Sequence, residues 1–225
     1  MLQPKALAVV NQVRQVILGK DAVVCKVLMA ILARGHILLE DNPGVGKTTL
    51  ALAFSKAMSL HYNRVQFTPE VMPADVVGFS ALDRQTGEFV YRPGAALCHL
   101  FLADEINRTS AKTQSALLEA MEEGQVTVDG VSHPLPRPFT VIATQNPVGS
   151  AGTQLLPESQ LDRFMMRLSI GYPALDQEVL ILKQTEGERP VNQVQPVVSL
   201  EEVVAMQEEV GQVHVADDLY RYVAQ

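Results

Sequence analysis

A short loop with two glycines, a lysine and two threonines lies between an apolar run and a helical stripe. The run His36–Leu39 is typical of a short buried strand of a parallel sheet. After the loop, apolar side chains recur at helical spacing, namely Leu50, Ala53, Phe54 and Ala57. The order strand, loop, helix predicts an α/β domain in which the loop lies at the edge of the sheet where ligands bind.

The loop has the composition of a phosphate-binding loop. Gly44 and Gly46 would let main-chain N–H groups close around phosphate oxygens, next to the positive end of the helix dipole. Lys47 would bridge the β- and γ-phosphates of a nucleotide, and the Thr48 hydroxyl would bind Mg²⁺. The general pattern has glycine at the position of Asp41, so the match is incomplete there. The residues expected to contact the nucleotide are Asp41, Asn42, Pro43, Gly44, Val45, Gly46, Lys47, Thr48 and Thr49.

A second apolar run ends in two acidic residues. Leu100–Ala103 leads into Asp104 and Glu105, which places both carboxylates at the carboxyl edge of a parallel sheet. Asp104 is expected to hold Mg²⁺, largely through water, and Glu105 is expected to deprotonate the attacking water. Together with the phosphate loop, this pair predicts that the chain binds Mg·ATP and hydrolyses it to ADP and phosphate.

Two further polar residues are candidates for the same reaction. Asn146 follows a predicted strand, where its amide could hold the lytic water, although an asparagine that only caps the strand is the competing interpretation. Arg163 could supply the added cation from which phosphoryl transfer gains, but an arginine just before a strand is more often a surface ion-pair partner. The residues alone leave both alternatives open.

The rest of the chain alternates between strand and helix patterns, which predicts a parallel sheet covered by helices on both faces. Two predicted hairpins interrupt this order, Gly78–Tyr91 and Val126–Leu135, the second turning at Asp129-Gly130. Neither hairpin is needed to build the sheet, so both are candidates to carry function. The further strands are predicted at Val65–Phe67, Leu100–Ala103, Phe139–Thr144 and Leu168–Tyr172.

Helices are predicted from periodicity and end signals. One is expected at 5–18, and a second contains the apolar stripe Val24, Val27, Leu28 and Ile31, with Gly35 as its left-handed C-cap. After residue 172 the composition becomes helix-forming, with a helix at 175–186 and a capping box at 199–202 that opens another. We therefore expect a nucleotide-binding core at 1–172 and a helical lid at 173–225.

Composition disfavours several classes of protein. No apolar run approaches the ~18 residues of a membrane span, so no membrane insertion is expected. The net charge is −7, and the lysines and arginines are scattered, which disfavours nucleic acid as a partner. Cys25 and Cys98 are expected to be small buried side chains without a disulfide, which indicates a cytoplasmic location.

Seven segments of the sequence match one known family: Gly35–Glu40, Pro43–Thr48, Leu102–Arg108, Gln114–Glu123, Val126–Gly130, Ala143–Pro147 and Gly152–Phe164. On these segments the chain resembles the MoxR-type ATPases of the AAA+ superfamily, over essentially its whole length. This resemblance implies a five-stranded parallel sheet of order 5-1-4-3-2 between helices, followed by a small helical lid. It makes Gly78–Tyr91 an insert within the second helix of the core and Val126–Leu135 the hairpin before sensor 1.

The resemblance also implies roles and partners. Asn146 becomes the sensor-1 residue, and Arg163 becomes an arginine finger that acts on the ATP of a neighbouring subunit. Such proteins form homo-oligomers, typically hexameric rings, and remodel partner proteins or metal-cofactor complexes in a chaperone-like way, with a von Willebrand factor A-domain protein as partner. Their lids continue to a sensor-2 arginine in a Ser-Pro-Arg-like context, which this sequence lacks before Gln225, so only part of the lid is expected.

Alternatives to this function stay open at this point. A chelatase-type motor subunit shares the same ring chemistry and differs in its partner. A nucleic-acid-acting AAA+ ATPase has related inserts but would need a basic surface. A nucleotide-binding module that does not hydrolyse ATP is the remaining alternative, because the lid is incomplete.

Overall fold

The structure is a computed structural model that describes residues 2–146, 155–184 and 189–224. Parts of the segments Ala143–Pro147 and Gly152–Phe164, which carry the family resemblance, lie outside the described residues. The strands formed by the described residues are β1 (Ile37–Glu40), β2 (Tyr62–Gln66), β3 (Gly78–Leu82), β4 (Phe89–Pro93), β5 (Leu100–Asp104), β6 (Gln125–Val128), β7 (Val131–Pro134), β8 (Thr140–Gln145) and β9 (Met166–Leu168).

Five of these strands form one parallel sheet, in the order β2-β5-β8-β1-β9. Numbered along the chain, the order is 5-1-4-3-2, so the predicted α/β fold and strand order are confirmed. Every residue of β5 and of β8 is buried. Burial on both faces explains why these two strands read as nearly continuous apolar runs rather than as alternating ones.

Helices surround this sheet, and the two predicted stripes, at 24–31 and 50–57, are buried. The helices of the described residues are α1 (Leu2–Arg14), α2 (Asp21–Leu32), α3 (Lys47–Ala57), α4 (Pro73–Val77), α5 (Ala111–Glu123), α6 (Glu158–Leu161), α7 (Leu175–Gln184), α8 (Leu200–Gly211) and α9 (Asp217–Val223), with short 3-10 turns at Ile106–Arg108 and Pro190–Gln193. None of the helices in the described ranges is both long and apolar enough to cross a membrane.

Side chains of the central strands alternate between two hydrophobic clusters on opposite faces of the sheet. Leu39 and Leu102 belong to the cluster that α1, α2 and α3 complete. Leu38 and Ala103 belong to the other cluster, which is completed by α5. The sheet is therefore covered by helices on both faces, as the sequence predicts.

The C-terminal residues pack against the first of these clusters. Val191, Val203 and Met206 are buried in it, next to residues of α2. Gln207 of α8 donates a hydrogen bond from Nε2 to the carbonyl oxygen of Ile31 at 2.7 Å. The division into a core at 1–172 and a lid at 173–225 stays a prediction.

Both predicted hairpins are formed. β3 pairs with β4 and β6 pairs with β7, each antiparallel and outside the main sheet. The capping box at the start of α8 is also formed, because the Ser199 hydroxyl accepts from the N–H of Glu202 while the Glu202 carboxylate accepts from the N–H of Ser199. The helix predicted at 175–186 is observed as α7, and residues 185 and 186 lie outside the described residues.

Several local predictions are wrong. The first helix is Leu2–Arg14 rather than 5–18, and β2 is Tyr62–Gln66 rather than Val65–Phe67. The last strand is Met166–Leu168 rather than Leu168–Tyr172, because residues 169–171 hydrogen-bond to the side chain of Asp41 instead of to a strand. The left-handed residue after α2 is Arg34, with φ 59°, and not Gly35. Gly35 instead permits a close approach, since a Cβ there would lie 2.6 Å from Sδ of Met165. Cys25 is exposed on α2, outside the buried stripe, whereas Cys98 is buried as expected, and both are free thiols.

Candidate active site

The phosphate loop has the backbone geometry that the sequence predicts. Gly44 and Gly46 have φ of 86° and 95°, in the left-handed region that favours glycine. A Cβ at either position would meet no neighbouring atom, so the backbone conformation rather than packing favours glycine there. Gly46 precedes α3 and has no side chain to cap it, which leaves the first N–H groups of the helix available to an anion.

Lys47 lies at the start of α3 and is only 7% exposed. Its Nζ donates to the carbonyl oxygens of Asp41 at 2.6 Å and Asn42 at 3.0 Å. Burial lowers the pKa of the Lys47 ammonium, and the negative charges of Asp41, Asp104 and Glu105 oppose that change. The cation is therefore placed where it can meet phosphate oxygens, near the acids Asp104 and Glu105 at the end of β5.

Two side chains of the loop point into the protein instead of lining the site. The Asp41 carboxylate accepts hydrogen bonds from the Ser169 hydroxyl at 2.8 Å and from the N–H groups of Ile170 and Gly171 at 2.6 and 3.1 Å. Val45 packs against the hydrophobic cluster of α1, α2 and α3. Of the predicted contact residues, these two can therefore reach a nucleotide through their main chain, and their side chains fix the loop to the core.

Thr144 fixes the geometry of the acidic pair at the end of β5. Its buried hydroxyl accepts from the N–H of Glu105 at 2.8 Å and donates to Oδ1 of Asp104 at 2.6 Å. The second carboxylate oxygen of Asp104 accepts from the Arg64 guanidinium at 2.7 Å. One hydroxyl from β8 thus holds the Asp104 carboxylate and the main chain of Glu105.

Glu105 is held from two sides. Its Oε1 accepts from Nδ2 of Asn146 at 2.9 Å, and its Oε2 accepts from the Arg108 guanidinium at 2.6 Å. Partial burial alone would raise the pKa of Glu105, but the hydrogen bonds from Arg108 and Asn146 and the charge of Arg108 outweigh it and hold this pKa below its ordinary value. The carboxylate is therefore ionised at neutral pH, as a group that accepts a proton from water must be.

Lys47, Asp104, Glu105 and Asn146 line one cavity of about 320 Å³. A second cavity, of about 460 Å³, lies between the ends of α2 and α8 and contains none of the phosphate-loop residues or acids, so the smaller one is the candidate active site. The smaller cavity is lined by Pro43, Gly44, Gly46, Lys47, Thr48, Thr49, Arg64, Gln66, Asp104, Glu105 and Asn146.

The donors of this cavity fit a nucleotide and Mg²⁺. Main-chain N–H groups and the Lys47 ammonium suit phosphate oxygens. Within the described ranges there is no cluster of three or more His, Cys, Asp and Glu that could hold a metal ion. The oxygens of Thr48 and Asp104 line the cavity. A site with one carboxylate and one hydroxyl suits Mg²⁺, which usually keeps waters and takes its other ligands from substrate phosphates.

Arg163 lies outside this cavity. Its Nε pairs with Glu122 at 3.2 Å, and its NH1 donates to the carbonyl oxygen of Ser159 at 2.6 Å. The surface ion pair that the sequence offered as the competing interpretation is therefore formed within the chain. The role of Arg163 as a finger toward a neighbouring subunit stays a prediction.

Four residues around the site are not predicted from the sequence, namely Arg64, Gln66, Arg108 and Thr144. Arg64 and Gln66 lie at alternate positions of β2, on the same face of the strand, and Gln66 is in register with Asp104. The sequence predicts this strand at Val65–Phe67, a range that leaves out Arg64, so the alternation of polar residues is not apparent.

Comparisons with known proteins agree with this geometry. Residues 36–166 match the family model described as the ATPase family associated with various cellular activities (AAA). The chain is 47% identical over 224 residues to the uncharacterized protein YeaC of Bacillus subtilis, covering 100% of this chain and 70% of YeaC. It is 39% identical over 197 residues to the chaperone MoxR1 of Mycobacterium tuberculosis, covering 88% of this chain and 52% of MoxR1.

A solved structure gives the same result. The crystal structure of a Cytophaga hutchinsonii protein assigned as an ATPase matches with a TM-score of 0.88 and 38% sequence identity, covering 98% of this chain and 67% of that protein. The sheet order, the phosphate loop beside Asp104 and Glu105, and these matches together show that the chain belongs to the MoxR-type ATPases of the AAA family.

Proposed function

We propose that this chain binds Mg·ATP in the cavity beside the phosphate loop and hydrolyses it to ADP and phosphate. The observation that carries the proposal is the hydrogen bond from Asn146 to Glu105, because it fixes an ionised carboxylate next to Lys47 and Asp104 at one edge of the sheet. The AAA family match supports the same reaction.

Each residue has a distinct role in this proposal. Lys47 and the N–H groups of the loop hold the phosphates, while Thr48 and Asp104 hold Mg²⁺. When bound, Mg²⁺ would neutralise charge on the transferred phosphoryl group. Glu105 takes a proton from the attacking water while the water oxygen bonds to the γ-phosphorus. The bond between the γ-phosphorus and the β,γ-bridging oxygen breaks in the same step, and ADP leaves. Asn146 keeps the Glu105 carboxylate and the water in line.

We extend the proposal to assembly and partners. The chain spans 70% of YeaC and about half of MoxR1, which is named as a chaperone. We propose a homo-oligomeric, hexameric ring in the cytoplasm in which Arg163 acts on the ATP of the next subunit. Its work would be to remodel partner proteins or metal-cofactor complexes, with a von Willebrand factor A-domain protein as partner. Among the described residues, no observation favours the chelatase or nucleic-acid alternatives.

The test compares two lysines of the same helix. Lys47→Ala should lose binding of a fluorescent ATP analogue and release of phosphate from Mg·ATP, because the cation that faces the phosphates is removed. Lys56→Ala, at the other end of α3, should retain both. Equal nucleotide affinity in Lys47→Ala and wild type would contradict the assignment of this cavity.

A further inference from the structure

Asp41 stands where phosphate loops generally carry glycine, and the structure gives its carboxylate a defined task. The side chain is buried, with the residue 7% exposed, and accepts three hydrogen bonds from residues 169–171. A buried carboxylate is costly unless its oxygens are paired, and here two N–H groups and one hydroxyl pair them. The loop is therefore fixed by its first residue to a distant segment of the chain.

That segment leads out of the sheet. Residues 169–171 follow directly after β9 and precede α7, which begins at Leu175. The next residue, Tyr172, is held too, since its carbonyl oxygen accepts from Nζ of Lys20 at 2.7 Å. The path from the sheet to α7 is thus attached at one end to the phosphate loop and at the other to the start of α2.

The main chain of Asp41 contacts the group expected to meet the phosphates. Its carbonyl oxygen accepts from Nζ of Lys47 at 2.6 Å. A bound phosphate would compete with this carbonyl for the same ammonium. One residue therefore contacts both the phosphate-facing cation and the segment that leads to α7.

We propose that Asp41 is a positioning residue that couples nucleotide binding in the phosphate loop to the segment 169–172 before α7. The coupling rests on the proposed function, because a nucleotide must bind at Lys47 for it to operate. Coupling between two sites is reciprocal. Loosening the segment must therefore lower the affinity for the nucleotide, and nucleotide binding must change how firmly the segment is held.

The first test is a double-mutant cycle with Ser169→Ala and Asp41→Asn, each checked for folding by circular dichroism. Ser169 does not line the nucleotide cavity, so its effect on nucleotide affinity must travel through Asp41. We expect Ser169→Ala to weaken Mg·ADP binding by about two- to tenfold, as residues coupled in one network do. In the Asp41→Asn background the same change should have no further effect. Ser80→Ala, in hairpin β3–β4, is the control and should leave the affinity unchanged.

The second readout is amide hydrogen exchange at residues 170 and 171. If Asp41 were only a structural anchor, nucleotide binding would not change the exchange rate at these two residues. In the wild type, Mg·ADP should slow exchange there as well as at residues 44–49, and in Asp41→Asn only residues 44–49 should respond. Two results would overturn the coupling: protection of 44–49 without a change at 170–171 in the wild type, or effects of the two substitutions on affinity that simply multiply. No protection at 44–49 would instead refute nucleotide binding itself, and with it the proposed function.

Discussion

Asn146, just beyond the end of β8, donates from Nδ2 to Oε1 of Glu105, just beyond the end of β5, over 2.9 Å. The two residues are 41 positions apart in sequence and meet because β5 and β8 are parallel neighbours in the sheet. Arg108 holds the other oxygen of the carboxylate. The base of the proposed reaction is thus oriented by one neutral and one positively charged donor, each of which can be removed separately.

Arg108→Ala should change the pH dependence of turnover. Without the guanidinium, the pKa of Glu105 rises toward or above its ordinary value, because burial then acts with less opposition. The carboxylate is protonated at higher pH, so the acid limb of the pH–kcat profile should move to higher pH. The control is Arg84→Ala, an exposed arginine of the β3–β4 hairpin turn, which should leave the profile in place. An acid limb at the same pH in Arg108→Ala and wild type would contradict this interpretation of the ion pair.

Much of this site was predictable because its signals are local. The loop residues Gly44 to Thr48 and the acids after β5 are contiguous in sequence, and the order of parallel strands places them at one sheet edge. Asn146 could be added from the same rule, since it follows a neighbouring strand.

Other features depend on contacts that no local pattern records. The partners of Asp41 are 128 to 130 residues away, so its side chain could be predicted only as part of the loop. Arg64 was missed because a strand boundary was displaced, and strand ends are set by pairing rather than by composition. Cys25 is exposed because it lies beside the buried stripe of α2 and not within it. Its small apolar side chain fits either position, so the sequence does not show on which side of the stripe's edge it lies.

His36 makes the fold sensitive to acid. It is 8% exposed, its Nδ1 accepts from the N–H of Val141 at 3.0 Å, and the other ring nitrogen, which then carries the proton, donates to Met121 O at 3.1 Å. Burial lowers the pKa of His36 in the folded protein, and the hydrogen bond to Met121 only partly opposes this. The unfolded chain therefore binds this proton first, and stability should fall as the pH drops below about 6.5 toward the lowered folded value.

Urea unfolding between pH 8 and pH 5 measures this effect in wild type and His36→Asn. The variant should lose about 1–3 kcal/mol at pH 8, because a buried main-chain group loses its partner, and should show a shallower loss toward pH 5. His99, whose pKa is also lowered by burial, contributes equally to both proteins, so the difference reports His36. His214→Asn, at an exposed position, is the control. Parallel pH curves for wild type and His36→Asn would show that His36 does not set the acid sensitivity.

The role of Arg163 can be tested by mixing subunits. Arg163→Ala and Lys47→Ala should each be inactive alone, and a mixture should regain part of the activity, because an intact site then borrows Arg163 from its neighbour. Glu122→Gln separates this role from the ion pair within the chain, since it breaks the pair and keeps the arginine. Absence of rescue in a verified mixed assembly, or equal loss in Glu122→Gln and Arg163→Ala, would identify Arg163 as a surface ion-pair residue.

The most direct test measures affinity for Mg·ATP and turnover on the same preparation of Glu105→Gln. Glutamine keeps the size of the side chain and can still accept from Asn146, but it cannot take a proton from water. We expect affinity close to that of the wild type and turnover lower by at least about 100-fold, the usual loss when a general base is removed. Glu119→Gln, on the exposed side of α5, should match the wild type in both measurements. Turnover of Glu105→Gln within about twofold of the wild type, at unchanged affinity, would contradict the assignment of Glu105 as the base.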